Sequence, residues 1–353
     1  MGWNRNDLTA ASGSPAPAAG NPDGYTWDVD KTQHVVYRGQ DNRIHELWFN
    51  GGWHHNDLIA ASGSQVLANG DPSGYTWDVD GTQHVVYCGL NTHIQELWFN
   101  GAWHHNDLHA ASGLPKPAHP NGDPAGYTWD VDKTQHVVFC NEDSNVQEVW
   151  FNGTWHHNDL NIASGSPAKV AGFPDGYTWD VDGTQHVVYR GHDSHIHELW
   201  FNGAWHHNDL TVASGSPAEA AGDPAGYTWD VDKTQHVVFR GHDSRIHELW
   251  FNGGWHHNDL ITASGSQVAA DSDPVGYTWD VDGTQHVIYR GQDSHIHELW
   301  FNGAWHHNDL TVASGSSVQA VGTPAGYTWD VDRTQHVVYR GQDAHLHELW
   351  FPA

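Results

Sequence analysis

A carboxylate, an imidazole and an indole recur at fixed spacing along this chain. Glu46 follows His34 by twelve residues and precedes Trp53 by seven, with Arg38 between the first two. A carboxylate and a ring nitrogen can each hold a hydroxyl group. An indole face covers apolar surface, and a guanidinium supplies a fixed fork of donors. The set suits a small polar ligand with one apolar face. It recurs as His186, Arg190, Glu198 and Trp205, as His236, Arg240, Glu248 and Trp255, and as His286, Arg290, Glu298 and Trp305. A further copy joins His336, Arg340 and Glu348 near the C-terminus to Trp3 near the start. Two copies keep Glu96 with Trp103 and Glu148 with Trp155, but hold Cys88 and Cys140 where the others have arginine, and Gln95 and Gln147 in place of His45. If Arg38 and His45 contribute, those two sites are the weaker ones. The competing account is structural: a buried acid on an aromatic-rich strand face needs a partner, and Glu46 could simply pair with histidine or arginine between sheets.

The positioning elements are repeats. Gly-Tyr-Thr-Trp-Asp-Val-Asp begins at Gly24, Gly74, Gly126, Gly176, Gly226, Gly276 and Gly326. A second marker, Trp-x-x-Asn-Asp-Leu, has its Trp at Trp3, Trp53, Trp103, Trp155, Trp205, Trp255 and Trp305. Each period holds four short β-type runs, in the first Tyr25–Asp30, Gln33–Arg38, Ile44–Phe49 and Trp53–Leu58, separated by hairpin signals such as Asp-Gly and Asn-Gly. A four-stranded antiparallel unit of about 50 residues is a propeller blade. The loop from Ala60 to Pro72 is expected to carry the chain from the outer edge of one blade to the inner strand of the next. The last period stops after its third strand, and the chain opens with the missing fourth. The expected fold is therefore all-β, a seven-bladed β-propeller of four-stranded antiparallel blades. It spans 1–353 as one domain, with 1–14 completing the blade begun at 324–353. Trp27, Trp48 and Trp53 and their copies account for all 21 tryptophans and are expected to pack between blades.

Composition narrows the partners. With 14 basic and 43 acidic residues the formal charge is -29, which argues against nucleic acid and anionic membrane surfaces. No run approaches the roughly 18 apolar residues of a membrane span, so membrane insertion is not expected. The start has no signal-peptide pattern; cytoplasmic synthesis is expected, with extracellular release left open. The 32 histidines would bring the net charge towards zero near pH 5 if they titrate at their ordinary value, lowering solubility or altering assembly. Cys88 and Cys140 occupy equivalent positions in adjacent repeats, beyond the disulfide reach of about 7 Å in a ring, so free thiols are expected.

Metal and catalytic chemistry fit less well. His195 and His197, His295 and His297, and His345 and His347 lie two apart, as two ligands on one strand face would. The matching positions elsewhere are Arg43/His45, His93/Gln95, Asn145/Gln147 and Arg245/His247. No dedicated metal site and no cofactor are expected. The Asp-Val-Asp-Gly turn lacks the distal Glu of a calcium loop. Gly-Tyr-Thr-Trp echoes the end of the sialidase Asp-box, but Asp71-Pro72-Ser73-Gly74 misses its offsets. An active site also breaks the symmetry of a ring, and no repeat carries a singular acid, base or nucleophile. The chain is not expected to be an enzyme.

The period His34-Val-Val-Tyr-Arg, Ile44-His-Glu46-Leu-Trp and Gly52-Trp53 resembles the repeats of fucose-binding β-propeller lectins. The six-bladed fungal and bacterial members have an Arg, a Glu twelve residues later and a Trp shortly after, with the sugar between adjacent blades. The seven-bladed lectins of insect-associated bacteria match the blade count. The resemblance implies that Glu46, Glu96, Glu148, Glu198, Glu248, Glu298 and Glu348 take the carboxylate role and that Trp53 and its copies supply the stacking wall. The position that holds Arg in those lectins is His34 and its copies here, which offer one donor rather than a fork. The implied function is a multivalent carbohydrate-binding protein with shallow sites between blades, for fucose or a related monosaccharide on glycans or glycoconjugates. A homo-oligomer is compatible with it. The alternative is a propeller that binds a protein partner through one blade-specific face.

Overall fold

The structure, a computed structural model, describes residues 2–120 and 122–352. Its strands form seven four-stranded antiparallel sheets. In the first, Asp23–Trp27, Thr32–Arg38, Ile44–Phe49 and Trp53–Asp57 lie side by side in chain order. The seventh joins Ala320–Trp329, Thr334–Gly341 and Leu346–Pro352 to Asn4–Asp7 from the chain start. Asn4 pairs with Trp350 and Asp7 with His347, closing the ring as expected.

Strand alternation gives each sheet two faces. One carries Tyr25, Trp27, His34, Val36, Ile44, Glu46 and Trp48; the other carries Val35, Tyr37, His45, Leu47, Phe49 and Trp53. The first face of one blade packs on the second face of the next. Tyr25, Val36, Ile44 and Leu58 thus meet Val85, Tyr87 and Leu97 in one buried cluster. The junction that closes the ring is built alike, with Tyr327 and Val338 against Val35, Tyr37 and Leu47, and Leu8 from the first residues at its centre.

A strap crosses every junction. The Tyr25 hydroxyl donates to Gln83 Oε1 of the next blade at 2.9 Å, and Tyr327 donates to Gln33 across the closure at the same distance. Tyr25 also lies over Gly74, where a Cβ would sit 2.3 Å from its ring. This packing is why Gly precedes Tyr in the repeated marker.

Two expectations need correction. The outermost run ends at Asp57, and a short helix, Leu58–Ser62, begins the connection that was expected to be loop. Asp57 caps it by accepting from Ala60 N, and Gly63 ends it at φ 73°, a left-handed conformation that favours glycine. The tryptophans also divide. Trp27 is buried, but Trp48 and Trp53 are only half-buried, and Tyr37 is the fully buried aromatic of the interface. Cys88 and Cys140 are buried free thiols, and burial pushes them up to about 11 and about 12.

Candidate binding clefts between the blades

Clefts open between blades at the end that carries the turns corresponding to 28–31 and 50–52. Between the second and third blades the cleft holds about 200 Å³. The second blade contributes Trp77, Asp80, His84, Glu96, Trp98 and Asn106; the third contributes Gln135, Phe151 and Trp155. The next cleft, of about 110 Å³, is lined by the corresponding nine residues, from Trp129 and Glu148 to Phe201 and Trp205. All seven sets are identical in residue type, the last being completed by Asn6 from the chain start and Gln33, Phe49 and Trp53 of the first blade.

A hydrogen-bonded relay forms the polar floor. In the second blade Thr82 Oγ1 donates to Asp80 Oδ1 at 2.5 Å and lies 2.6 Å from His84 Nε2, while His84 Nδ1 lies 2.9 Å from Glu96 Oε1. Asn106 Nδ2 approaches the second carboxylate oxygen of Glu96 at 3.4 Å. His34–Glu46, His136–Glu148, His186–Glu198, His236–Glu248 and His336–Glu348 repeat the ion-pair geometry at 2.8 Å and His286–Glu298 at 2.9 Å. Both partners are nearly inaccessible, at 3 % exposure for His34 and Glu46. Tyr25 stacks on His34 with ring centroids 5.1 Å apart, and burial, reinforced by Glu46, holds its phenol well above the usual range. The structural account expected the acid to be paired between sheets; instead the His–Glu pair lies within one sheet and anchors the floor.

The walls are aromatic. Trp27 meets Phe99 of the next blade edge-on at 5.7 Å, and Phe99 packs against Trp103 at 5.5 Å. Trp48 is held by His54, stacked at 4.4 Å. Six of the seven inner tryptophans, Trp27, Trp77, Trp129, Trp229, Trp279 and Trp329, have a buried indole N–H with no protein acceptor.

The predicted residues are only partly brought together. His34 and Glu46 share a cleft, but the indole facing them is Trp103, not Trp53. By the same rule Trp155 serves Glu96, Trp205 serves Glu148, Trp255 serves Glu198 and Trp305 serves Glu248. Trp3 serves Glu298, and Trp53 serves Glu348. The arginines stand apart. Arg38 shares a strand face with His34 but lies four residues along it, a separation of about 13 Å. It contacts Asp71 at 3.3 Å, at the opposite mouth of the ring. Arg240 meets Asp273 at 3.3 Å, Arg190 approaches Asp223 at 3.8 Å, and Arg290 bonds Asp271 and Gly322 O there. Burial and neighbouring arginines lower Arg340. That mouth is lined by Asp23, Asp71, Asp123, Asp175, Asp223 and Asp273 among prolines. Burial, and for Asp123 the neighbouring Asp71, raises Asp23 and Asp175 to about 6 and Asp123 to about 7. His45 lies on the other sheet face, bonded to His55 at 3.1 Å and Asp41 at 3.2 Å. Arg38 and His45 thus lie outside the clefts, and the two cysteine-bearing blades have the same cleft lining as the rest.

Sequence reasoning missed Trp27, Trp48, Phe49, Asn56, Asp30 and Gln33 as lining residues. Their signal was present: all sit towards the same turn end of the repeat as His34. The paired histidines are also explained. His195 Nδ1 is tied to Asp209 at 2.8 Å, and His197 is bonded to Asp193 and His207. The ligand atoms of Asp193, His195 and Asp209 lie within 4.8 Å of one another, as do those of Asp293, His295 and Asp309. Burial, helped by the facing histidine, lowers His55, His207, His257 and His307, so these charge only below their ordinary range.

No family model matches the sequence, and no curated protein matches it. Among solved structures the chain is similar to the BP39L lectin of Burkholderia pseudomallei, at 12% identity and a TM-score of 0.67 over 95% of this chain and 96% of that one. It is also similar to AofleA of Arthrobotrys oligospora, at 15% identity and 0.57 over 87% and 89%. The fucose-specific lectin of Aleuria aurantia matches at 13% identity and 0.57 over 84% and 97%. At such identities the likeness is one of fold.

Proposed function

We propose that the protein is a multivalent lectin whose seven inter-blade clefts each take one monosaccharide unit of a glycan, with fucose or a related sugar as the favoured unit. The observation that carries this is the cleft itself: buried carboxylate, amide and imidazole groups on the floor, indole and phenyl walls, and room of about 200 Å³ in one cleft and about 110 Å³ in the next. Such a site grips hydroxyls on one side of a ring and covers its apolar face on the other. The neighbours named as lectins, one of them fucose-specific, support the same reading. Seven identical clefts favour many weak contacts added together over one tight one, as multivalent binding does.

A Thr–His–Glu relay also has the connectivity of a hydrolase triad. Here the Thr82 hydroxyl donates to Asp80 and not to His84, so the imidazole is not placed to take its proton as a triad base would. Binding without catalysis is the function this geometry supports. Isothermal titration with methyl α-L-fucoside and a panel of neutral monosaccharides tests it. Saturable binding to several sites, weakened by Glu198→Gln, is expected; no heat across the panel together with an empty glycan array would overturn it in favour of a protein-binding propeller.

A further inference from the structure

The relay has a charge that follows from counting hydrogens. Its three contacts, Asp80 to Thr82, Thr82 to His84 and His84 to Glu96, need three hydrogens. The threonine hydroxyl supplies one and a neutral imidazole one. The third is either a second imidazole proton or a carboxyl proton. In each arrangement the four groups together carry a single negative charge. The clefts between the second and third and between the third and fourth blades are lined by no lysine or arginine. Their walls are three indoles and a phenyl ring, whose faces attract cations.

One position modulates this charge. The residue after the lining aspartate alternates around the ring: Lys31, Gly81, Lys133, Gly183, Lys233, Gly283, Arg333. It ends the turn in the left-handed conformation, at φ 60° for Lys31, Lys133 and Arg333 and 62° for Lys233. Glycine is the residue that adopts this conformation without cost, so the cations are held there against backbone preference. Each follows a lining aspartate in sequence, and a side chain built at the glycine positions starts towards the turn of the preceding blade, with the Cβ at Gly81 3.3 Å from Val29.

Resting on the lectin reading, we infer that the clefts favour a sugar carrying a free ammonium group over its neutral counterpart, and that the alternating turn residue, glycine three times and a cation four times around the ring, divides them into three more negative clefts and four less negative ones. The ligand class is an amino sugar whose amine is not acylated. The buried carboxylate receives its ammonium or hydroxyls, and the indoles cover its ring. Because an exposed lysine acts through water, the difference between the two cleft classes is modest, about two- to fivefold at low salt.

The test compares methyl β-D-glucosaminide with methyl N-acetyl-β-D-glucosaminide, using methyl α-L-fucoside as the neutral reference, by titration at about pH 6.5, where the amine and not the amide is charged. The ammonium sugar is expected to bind at least about fivefold more tightly than the amide in about 20 mM salt, and the gap to close in about 500 mM. The variant K31G/K133G/K233G/R333G places glycine where the backbone already suits it, so folding is preserved. It is expected to convert the four weaker clefts to the tighter class for the ammonium sugar while leaving fucoside binding unchanged. Equal affinity for amine and amide, with fucoside still binding, overturns the charge inference and leaves the lectin reading standing. No binding of any of the three sugars removes both.

Discussion

Each cleft draws its carboxylate from one blade and its facing indole from the next, and this predicts how many sites a double substitution destroys. Glu198 faces Trp255, whereas Trp205 walls the cleft of Glu148. Removing an indole face that covers about 50 Å² of sugar loses about 1.3 kcal/mol at about 25 cal/mol/Å², close to tenfold in affinity. Losing a charged acceptor costs about 1–3 kcal/mol. Either loss takes a site of about millimolar affinity below detection. E198Q/W255A therefore strikes one cleft twice, and the count of bound sugars should fall from seven to six. E198Q/W205A strikes two neighbouring clefts, and the count should fall to five. Native mass spectrometry at saturating methyl α-L-fucoside gives the maximum number bound. Equal counts for the two double variants, or the reverse order, would refute the cross-blade pairing and restore the assignment of Trp205 to Glu198.

Three further outcomes follow from the geometry. Arg190→Ala acts at the far mouth of the ring and should leave sugar affinity and site number unchanged; a lost site would mean that the guanidinium reaches the cleft. Asp123, raised to about 7 by burial and by Asp71, holds its proton more tightly folded than unfolded, so its contribution to stability falls as pH rises from about 4 through about 7. Asp123→Asn should accordingly gain on the wild type between urea melts at about pH 5 and about pH 8, and a difference independent of pH would contradict this. Gly74→Ala forces Tyr25 out of its seat and should destabilise by about 1–3 kcal/mol. Adding Tyr25→Ala should cost less than its effect in the wild type, and strictly additive denaturation midpoints would show that the two residues do not couple.

Much of the ring was legible because its signals are periodic. The doubled markers at Gly24 and Trp53 gave seven blades, and the truncated last repeat pointed to the strand at Asn4–Asp7. The His34–Glu46 pair was legible as well, since a twelve-residue separation across a hairpin sets them on one face. What the sequence hid was direction. Alternation puts Arg38 on the face of His34, but the four-residue offset of about 13 Å carries it to the far mouth, and grouping by face alone joined it to the cleft. Nor does a repeat reveal which of its faces meets the next copy, so Trp53 was joined to Glu46 instead of Glu348. The helix Leu58–Ser62 escaped because five residues are too few for a period; only Asp57 and Gly63, a cap at each end, announced it.

The strand contributed by the first residues has a consequence beyond holding the ring together. An open row of blades has one junction fewer than it has blades, because its two end faces have no neighbour. Bringing Asn4–Asp7 beside Leu346–Pro352 joins those ends, and the junction so made is a complete cleft with Asn6, Gln33 and Trp53 in place. Closure thus raises the number of clefts by one without a new residue type. For a row of duplicated units, becoming a circle is also the step at which every unit is used.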